Sequence, residues 1–295
     1  MSRVWDLPGR AISRARVAYI VRGLNRLNLS SMRQIIAPRG PVVSLTSYGS
    51  RIDLAHLTVE SIGLGKALPS RIILWLDDRF CFSNLPHTLT RLQQRGLEIC
   101  LTENWGPHTK YYPYLESCQR FSVPLVTADD DIIYPRDWLE GLVMANEKWG
   151  GAINCYRARV IKLCAGGLAP YEDWQMCRST DASIRNFATG VSGVIYPLPF
   201  LARLRQVGRG FEKCCPKADD IWLHAQALRG GFQVRQIGKT ARHFPMTPGS
   251  QLIALQDSNR GAQTSGNDRQ AKSTYNDLDL EMLRTMRHLE PALHS

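Results

Sequence analysis

The chain reads as an α/β protein built on a mostly parallel, Rossmann-like sheet flanked by helices. Three observations predict this class. Short apolar runs, among them Val42-Val43-Ser44-Leu45-Thr46 and Ile72-Ile73-Leu74-Trp75-Leu76, alternate with stretches of helical periodicity over the first 135 residues. Runs that are apolar on both faces are those of strands buried in a parallel sheet. The runs also end in polar segments, and in such sheets ligands bind beyond the carboxyl ends of the strands.

The length of 295 residues suffices for one large α/β domain or two small ones, and 44% apolar and 21% charged residues are ordinary for a globular protein. No run approaches 18 consecutive apolar residues, so no transmembrane helix is expected, and no apolar signal-peptide core is visible. The net charge of +11 is uneven: eight arginines and one acid, Asp6, give residues 1–40 a net +7 and leave +4 for the other 255. The body is therefore nearly balanced. It carries no basic groove-reading motif, so a nucleic-acid partner is not expected. Eight cysteines match no zinc spacing, and the adjacent Cys214-Cys215 suits neither a redox pair nor a zinc site. All eight are read as reduced thiols in a cytoplasmic protein.

Taken in order, residues 1–40 form a basic amphipathic segment. Val17, Ile20, Val21, Leu24 and Leu27 share one helical face, and Arg14, Arg22 and Arg26 lie opposite. A helix over 10–28 of this kind suits an anionic membrane surface, or packs on the domain with its arginines in water. The first strand, 41–48, runs into Gly49-Ser50-Arg51. A helix over 53–67 follows, then a strand over 71–76 ending at Asp77-Asp78, a helix over 85–96 and a short strand over 97–101. The polar loop 103–110 contains Lys110. A helix from 112 leads into the apolar run Val123–Thr127, which ends in Asp129-Asp130-Asp131. Further on come a helix over 138–149, a strand over 152–160, an irregular stretch over 164–186, a glycine-containing turn and strand over 189–197, and a helix over 199–207. Asp219-Asp220 open a helix to about Leu228, where the dipole favours them as capping acids. Phe232–Ile237 is a strand. Residues 248–275, rich in Gly, Ser, Asn and Gln, read as a mobile loop before a terminal helix over 278–289.

The acidic triplet is the centre of this pattern. Three adjacent carboxylates do not belong in a core, where isolated charges are costly and like charges raise one another's pKa. A cation is expected among them, and hard oxygen donors without Cys or His in the run indicate Mg²⁺ or Mn²⁺. Strand alternation would turn Asp129 and Asp131 to one side and Asp130 to the other. Ser47–Arg51, Asp77-Asp78, the 103–110 loop and the triplet all fall at strand carboxyl ends, which marks one cleft.

The first strand with Thr46-Ser47-Tyr48, the triplet with Tyr134-Pro135, the Gly190–Pro197 segment and Ala218-Asp219-Asp220-Ile221-Trp222 together resemble a bacterial glycosyltransferase of the GT-A fold, of the kind found in capsule or lipopolysaccharide assembly. The resemblance spans about residues 41–245. It implies a single catalytic domain over 41–247, with a donor half (41–135) and an acceptor half (136–247), followed by a loop and helix over 248–295. It also implies a nucleotide-sugar donor such as a UDP-sugar, a glycan or lipid-linked acceptor, and Mn²⁺ or Mg²⁺ as cofactor. By the resemblance Asp129 and Asp131 hold the metal, with Asp130 nearer the ribose or sugar. The three acids leave the register open, so Asp130 and Asp131 are an alternative ligand pair. Thr46, Ser47, Tyr48, Arg51 and Asp77 match the base- and ribose-binding positions, and Lys110 a phosphate contact. Asp219 or Asp220 is the general base of an inverting transfer, with Asp220 slightly preferred. His243 matches a late metal ligand. Tyr171, Trp174, Thr189, Gly190 and Gly193 fall on the acceptor side. The expected location is cytoplasmic, peripheral on the inner face of the plasma membrane.

Two other readings compete. A Mg²⁺-dependent phosphoryl-transfer enzyme or phosphohydrolase also gathers acids at strand ends, but it usually carries a nucleophilic Asp after the first strand, where this chain has Thr-Ser-Tyr. A non-catalytic sugar-binding or peripheral membrane protein would have no use for Asp219-Asp220.

Overall fold

The computed structural model describes residues 7–249 and 266–285, with side chains from residue 15. Its centre is a seven-stranded sheet: β1 (Val42–Thr46), β2 (Arg71–Leu76), β3 (Leu97–Leu101), β4 (Leu125–Thr127) and β5 (Ile153–Cys155), then β11 (Val194–Tyr196) and β12 (Val234–Gln236). The spatial order is β12-β5-β11-β4-β1-β2-β3. Every neighbouring pair is parallel except those made by β11, which runs antiparallel to both β4 and β5. The class is therefore mixed α/β with a mostly parallel sheet, as the apolar runs predict.

Side-chain parity explains the two cores. Val42, Ile73, Trp75 and Leu125 point to one face. They pack there with helices α5 (Tyr112–Ser117), α7 (Leu198–Val207) and α9 (Asp219–Arg229). Val43, Leu45, Ile72, Leu74 and Val126 point to the other face. They meet α2 (Ala55–Gly63), α4 (His87–Gln93) and α6 (Trp138–Lys148). Successive strand residues alternate faces, so a strand buried on both sides has to be apolar throughout.

Shorter elements fill in the rest. β6 (Ala158–Val160), β9 (Gln175–Met176) and β10 (Asn186–Ala188) form a small antiparallel sheet, and β7 (Leu163–Cys164) pairs with β8 (Gly167–Leu168). The single strand expected over 152–160 is thus two strands in two sheets. Helix α3 (Arg79–Ser83) is capped by the Asp78 carboxylate, which accepts from the Cys81 amide at 2.8 Å. Helix α8 (Phe211–Cys214) precedes α9. Helix α1 (Leu7–Ser30) lays Leu24 on Leu57 and Ile133, with Val17, Ile20 and Val21 alongside. Asn28 at its end donates to Glu60 at 3.0 Å. Glu60 is fully buried and also holds Arg95 at 3.0 Å through Nη2, so one carboxylate ties α1, α2 and the turn after α4 together.

One expectation fails here. Part of the stretch read as a mobile loop is helix α10 (Gly266–Thr274), followed by α11 (Asp277–Thr285). Ala271, Tyr275 and Leu283 are buried in the same core as α9. Arg229 of α9 grips Asp279 at 2.7 Å, and the Tyr275 hydroxyl lies 2.6 Å from His224 Nδ1. Residues 250–265, the rest of that expected loop, lie outside the described residues, as do 286–289 of the expected terminal helix.

All eight cysteines are free thiols. Among the described residues no helix is long and apolar enough to cross a membrane.

Candidate functional site

In the chain the sheet grows outward from β1 through β2 to β3 and then returns, placing β4 on the other side of β1. The strand order reverses between β1 and β4, and in open α/β sheets the ligand crevice lies at that point. Ser47 follows β1 and the acidic triplet follows β4, and the two meet there: the Ser47 hydroxyl donates to Asp130 at 2.5 Å.

The triplet is a turn, because β4 stops at Thr127. Strand alternation therefore does not govern it. Asp130 and Asp131 share one cation, Arg51, instead of facing apart. The Arg51 guanidinium forks onto Asp130 through Nε and Nη2, and its Nη2 lies 3.1 Å from Asp131. Asp129 turns away from both to Lys110, at 3.2 Å. The turn itself is fixed through its backbone. The Thr58 hydroxyl lies 2.8 Å from the carbonyls of both Asp130 and Ile132, Thr247 N–H donates to the Asp131 carbonyl at 2.7 Å, and Asp129 N–H donates to the Tyr134 hydroxyl at 3.0 Å.

Lys110 bridges to the second acidic pair. Its ammonium is also 3.2 Å from Asp219, at the first turn of α9. Asp220 beside it accepts from the Gly190 amide at 3.1 and 3.2 Å. Gly190 is needed for closeness: a Cβ there would stand 3.2 Å from the Asp220 carboxylate and 3.3 Å from the Lys110 ammonium. Five carboxylates thus form one connected cluster with two cations.

The titration behaviour reports that imbalance. Burial, with Asp129 and Asp130 adding repulsion, pushes Asp131 up to about 6 despite Arg51. Burial likewise raises Asp130 against the pull of Arg51 and Ser47. Burial and then Asp219 push Asp220 up to about 7, more than Lys110 and the Gly190 amide draw it down. Lys110 shows the converse. Burial opposes its charge, but Asp129, Asp219 and Asp220 hold it protonated well above the usual lysine range. The cluster is short of positive charge.

The residues fit a hard divalent cation of partial protein coordination. Asp130 has its lone pairs engaged by Ser47 and the Arg51 fork, whereas Asp129 and Asp131 each keep capacity beyond one cationic contact. Mg²⁺-type ions are held by one or two carboxylates plus water and phosphate. Among the described residues no three His, Cys, Asp or Glu side chains form a ready-made cage.

The other predicted residues divide. Tyr48 is half-exposed and its ring lies under the Arg51 guanidinium, 5.3 Å from the centroid. The Thr46 hydroxyl donates to the Trp75 carbonyl at 3.1 Å, which ties the ends of β1 and β2 together. Asp77 sits partly exposed at the end of β2. Thr189 is buried against the Arg157 carbonyl. Tyr171 is partly exposed, and the Arg159 guanidinium stacks 4.9 Å from its ring centroid. Trp174 is a core residue, 1% exposed, with its indole N–H on the Ala169 carbonyl. Gly193 has φ +96°, and a Cβ on it would strike Trp138; it is a packing glycine. His243 is exposed and lines a separate cavity beside α1, with Arg242 and Phe244.

Two residues gain roles the sequence did not suggest. His108 stacks on Phe211 at 4.0 Å and bonds the Cys215 carbonyl at 2.7 Å, which pins the loop carrying Lys110 to the segment before α9. Arg157 lies close enough to Asp220 to feel its charge, with the Tyr171 phenol also nearby, and its buried Nε has no hydrogen-bond partner among the described residues. A lone His or Arg in sequence carries no sign of what it will face.

No protein-family model and no curated protein matches the chain. Among solved structures it is similar to mannosyltransferase PcManGT from Pyrobaculum calidifontis in complex with GDP-Man and Mn²⁺ (TM-score 0.47, 13% identity, 97% of this chain and 86% of that one). It is also similar to S. aureus TarS 1–349 (0.46, 12%, 80% and 70%) and to CMP:2-keto-3-deoxy-manno-octonic acid synthetase complexed with CTP (0.43, 12%, 74% and 98%). At such values what those proteins bind stays theirs, and the chemistry of this chain is read from its own cleft.

Proposed function

We propose that the protein is a metal-dependent glycosyltransferase of GT-A type that moves a sugar from a nucleotide-sugar donor to a glycan or lipid-linked acceptor. The observation that carries this reading is the cluster of five carboxylates on two cations at the reversal point of the sheet. Asp129 and Asp131 would hold Mn²⁺ or Mg²⁺. When bound, the metal neutralises charge that develops on a departing nucleoside diphosphate.

The chain's own groups supply the rest. Arg51, held in place by Asp130, presents its charge and the Tyr48 face beside the first strand, a setting for base and ribose. Lys110 is a fixed cation between the donor and acceptor halves. Asp220 has the pKa of a working base, near neutral pH. It takes the proton of the acceptor hydroxyl as that oxygen attacks the anomeric carbon and the diphosphate leaves. Gly190 N–H orients it. Arg157 and Tyr171 lie near it.

The test is thermal denaturation of the purified protein against a panel of nucleotides, with Mn²⁺ and with EDTA. A ligand that binds only the folded state raises the melting point with occupancy. Metal-dependent stabilisation by one nucleoside diphosphate is the expected result and names the donor base. No shift with any nucleotide would overturn the reading.

A further inference from the structure

A cavity apart from the acidic cleft lies beside α1. It measures about 560 Å³ and opens between α1 and the segments 133–136 and 242–245. That is within the usual size range for binding a small organic molecule. Val17, Ile20, Leu24, Leu64, Ile133 and Pro245 line it together with Tyr134 and Phe244, so its walls are largely apolar. Its rim is basic: Arg16, Arg136, Arg242 and His243. Arg242 is neutralised by Asp137, at 3.0 and 3.2 Å. Arg136 gives its Nε to the Leu64 carbonyl, and neither it nor Arg16 has a carboxylate partner among the described residues. The opposite face of α1 continues the theme. Tyr19, Arg22, Arg26 and Leu29 recur at spacings of three and four and are exposed, with Tyr19 at 78% and Leu29 at 68%. An apolar and arginine-bearing outer face suits the interfacial zone of a bilayer.

We propose that this cavity takes the chain of a membrane lipid carrying a phosphate headgroup, with Arg16 and Arg136 on the phosphate and α1 lying on the membrane. An apolar slot bordered by guanidiniums that have no carboxylate partner among the described residues complements that combination of chain and charge. The cavity adjoins the acidic turn through Tyr134, which lines it while its hydroxyl accepts the Asp129 N–H. The inference does not rest on the transferase reading, because it concerns binding alone.

The experiment is calorimetric titration of the full chain with three probes below their micelle concentrations: dodecyl phosphate, dodecyl maltoside and inorganic phosphate. Dodecyl phosphate is expected to bind at one site. The maltoside, with chain but no phosphate, and inorganic phosphate, with no chain, should each bind about tenfold more weakly or worse. Two variants locate the site. Arg16→Glu with Arg136→Glu reverses exposed charges, and Val17→Trp fills the slot. Both should keep the wild-type melting point and weaken dodecyl phosphate by about tenfold. The charge-reversed variant should also lose co-sedimentation with phosphatidylcholine vesicles containing phosphatidic acid. Equal binding of maltoside and phosphate probes, binding unchanged in both variants, or no binding of dodecyl phosphate would each overturn the proposal.

Discussion

Asp131 and Asp220 are both carboxylates with raised pKa values, yet their neighbours differ. Asp131 shares Arg51 with Asp130 and keeps lone pairs for a further cation, whereas Asp220 is turned to the Gly190 amide. Asp131→Ala should therefore lose Mn²⁺-dependent donor binding and keep the fold, because the carboxylate removed is held by repulsion as much as by attraction. Equal donor affinity in wild type and variant, by calorimetry with Mn²⁺, would remove Asp131 from the metal site. Asp220→Asn should keep donor affinity and lose transfer by about 10²–10⁴, the usual worth of a general base. Full transfer in that variant would move the base to Asp219 or point to a retaining reaction. The residues of this cleft were legible in sequence because carboxylates at strand ends need an explanation. Their partnerships were not. Whether Asp130 faces Asp131's way depends on β4 ending at Thr127, and the apolar pattern does not mark that end. Trp174 and Gly193 looked the same in sequence as residues facing a sugar, and only their burial shows them to be packing.

At the level of elements, the sheet was readable and its seams were not. Apolar runs buried on both faces declare parallel strands, but nothing in Val194-Ile195-Tyr196 says that this run enters the sheet reversed. Its entry turn explains the demand on Gly193. The residue has φ +96°, and an added Cβ would lie 2.6 Å from the indole nitrogen of Trp138, whose N–H already donates to the Ser192 carbonyl at 2.9 Å. Gly193→Ala meets both the left-handed penalty and a rigid ring. It should destabilise the protein by about 2–4 kcal/mol, read as a lower urea midpoint with the slope unchanged. A loss below about 0.5 kcal/mol would mean the turn yields freely, like an ordinary surface position. Helix α10 escaped sequence reading for the opposite reason. Its residues, Gly-Asn-Asp-Arg-Gln-Ala-Lys-Ser-Thr, have no apolar stripe, and it is anchored through Ala271 and Thr274 against a core built elsewhere. Helix α1 does show its stripe, and it uses that stripe against the domain at Leu57 and Ile133.

Across the whole molecule, an excess of carboxylates at one point makes stability depend on pH, and a divalent ion bound there would add a dependence on metal. A carboxyl raised in the folded state binds its proton more tightly folded than unfolded. Its stabilising effect is therefore complete below the ordinary aspartate range and is lost as pH rises through the folded value. For Asp131 and Asp220 those values are about 6 and about 7. The metal-free protein should thus lose melting temperature between about pH 4 and 7 on account of these two groups. Asp131→Asn with Asp220→Asn should flatten that decline and melt higher than wild type at pH 8 in EDTA. A divalent ion reverses the sign, since it binds the ionised carboxylates and competes with protons. At about a hundred times its dissociation constant it adds about 2.7 kcal/mol, several degrees in a protein of this size. That gain should be small at pH 5, grow toward pH 8 and be absent in the double variant. Melting curves with Mn²⁺ and with EDTA at three pH values read all of this at once. A gain equal at every pH, or one retained by the double variant, would place the ion elsewhere. It would leave the charge of the cluster to be balanced by protein cations such as Arg51 and Lys110.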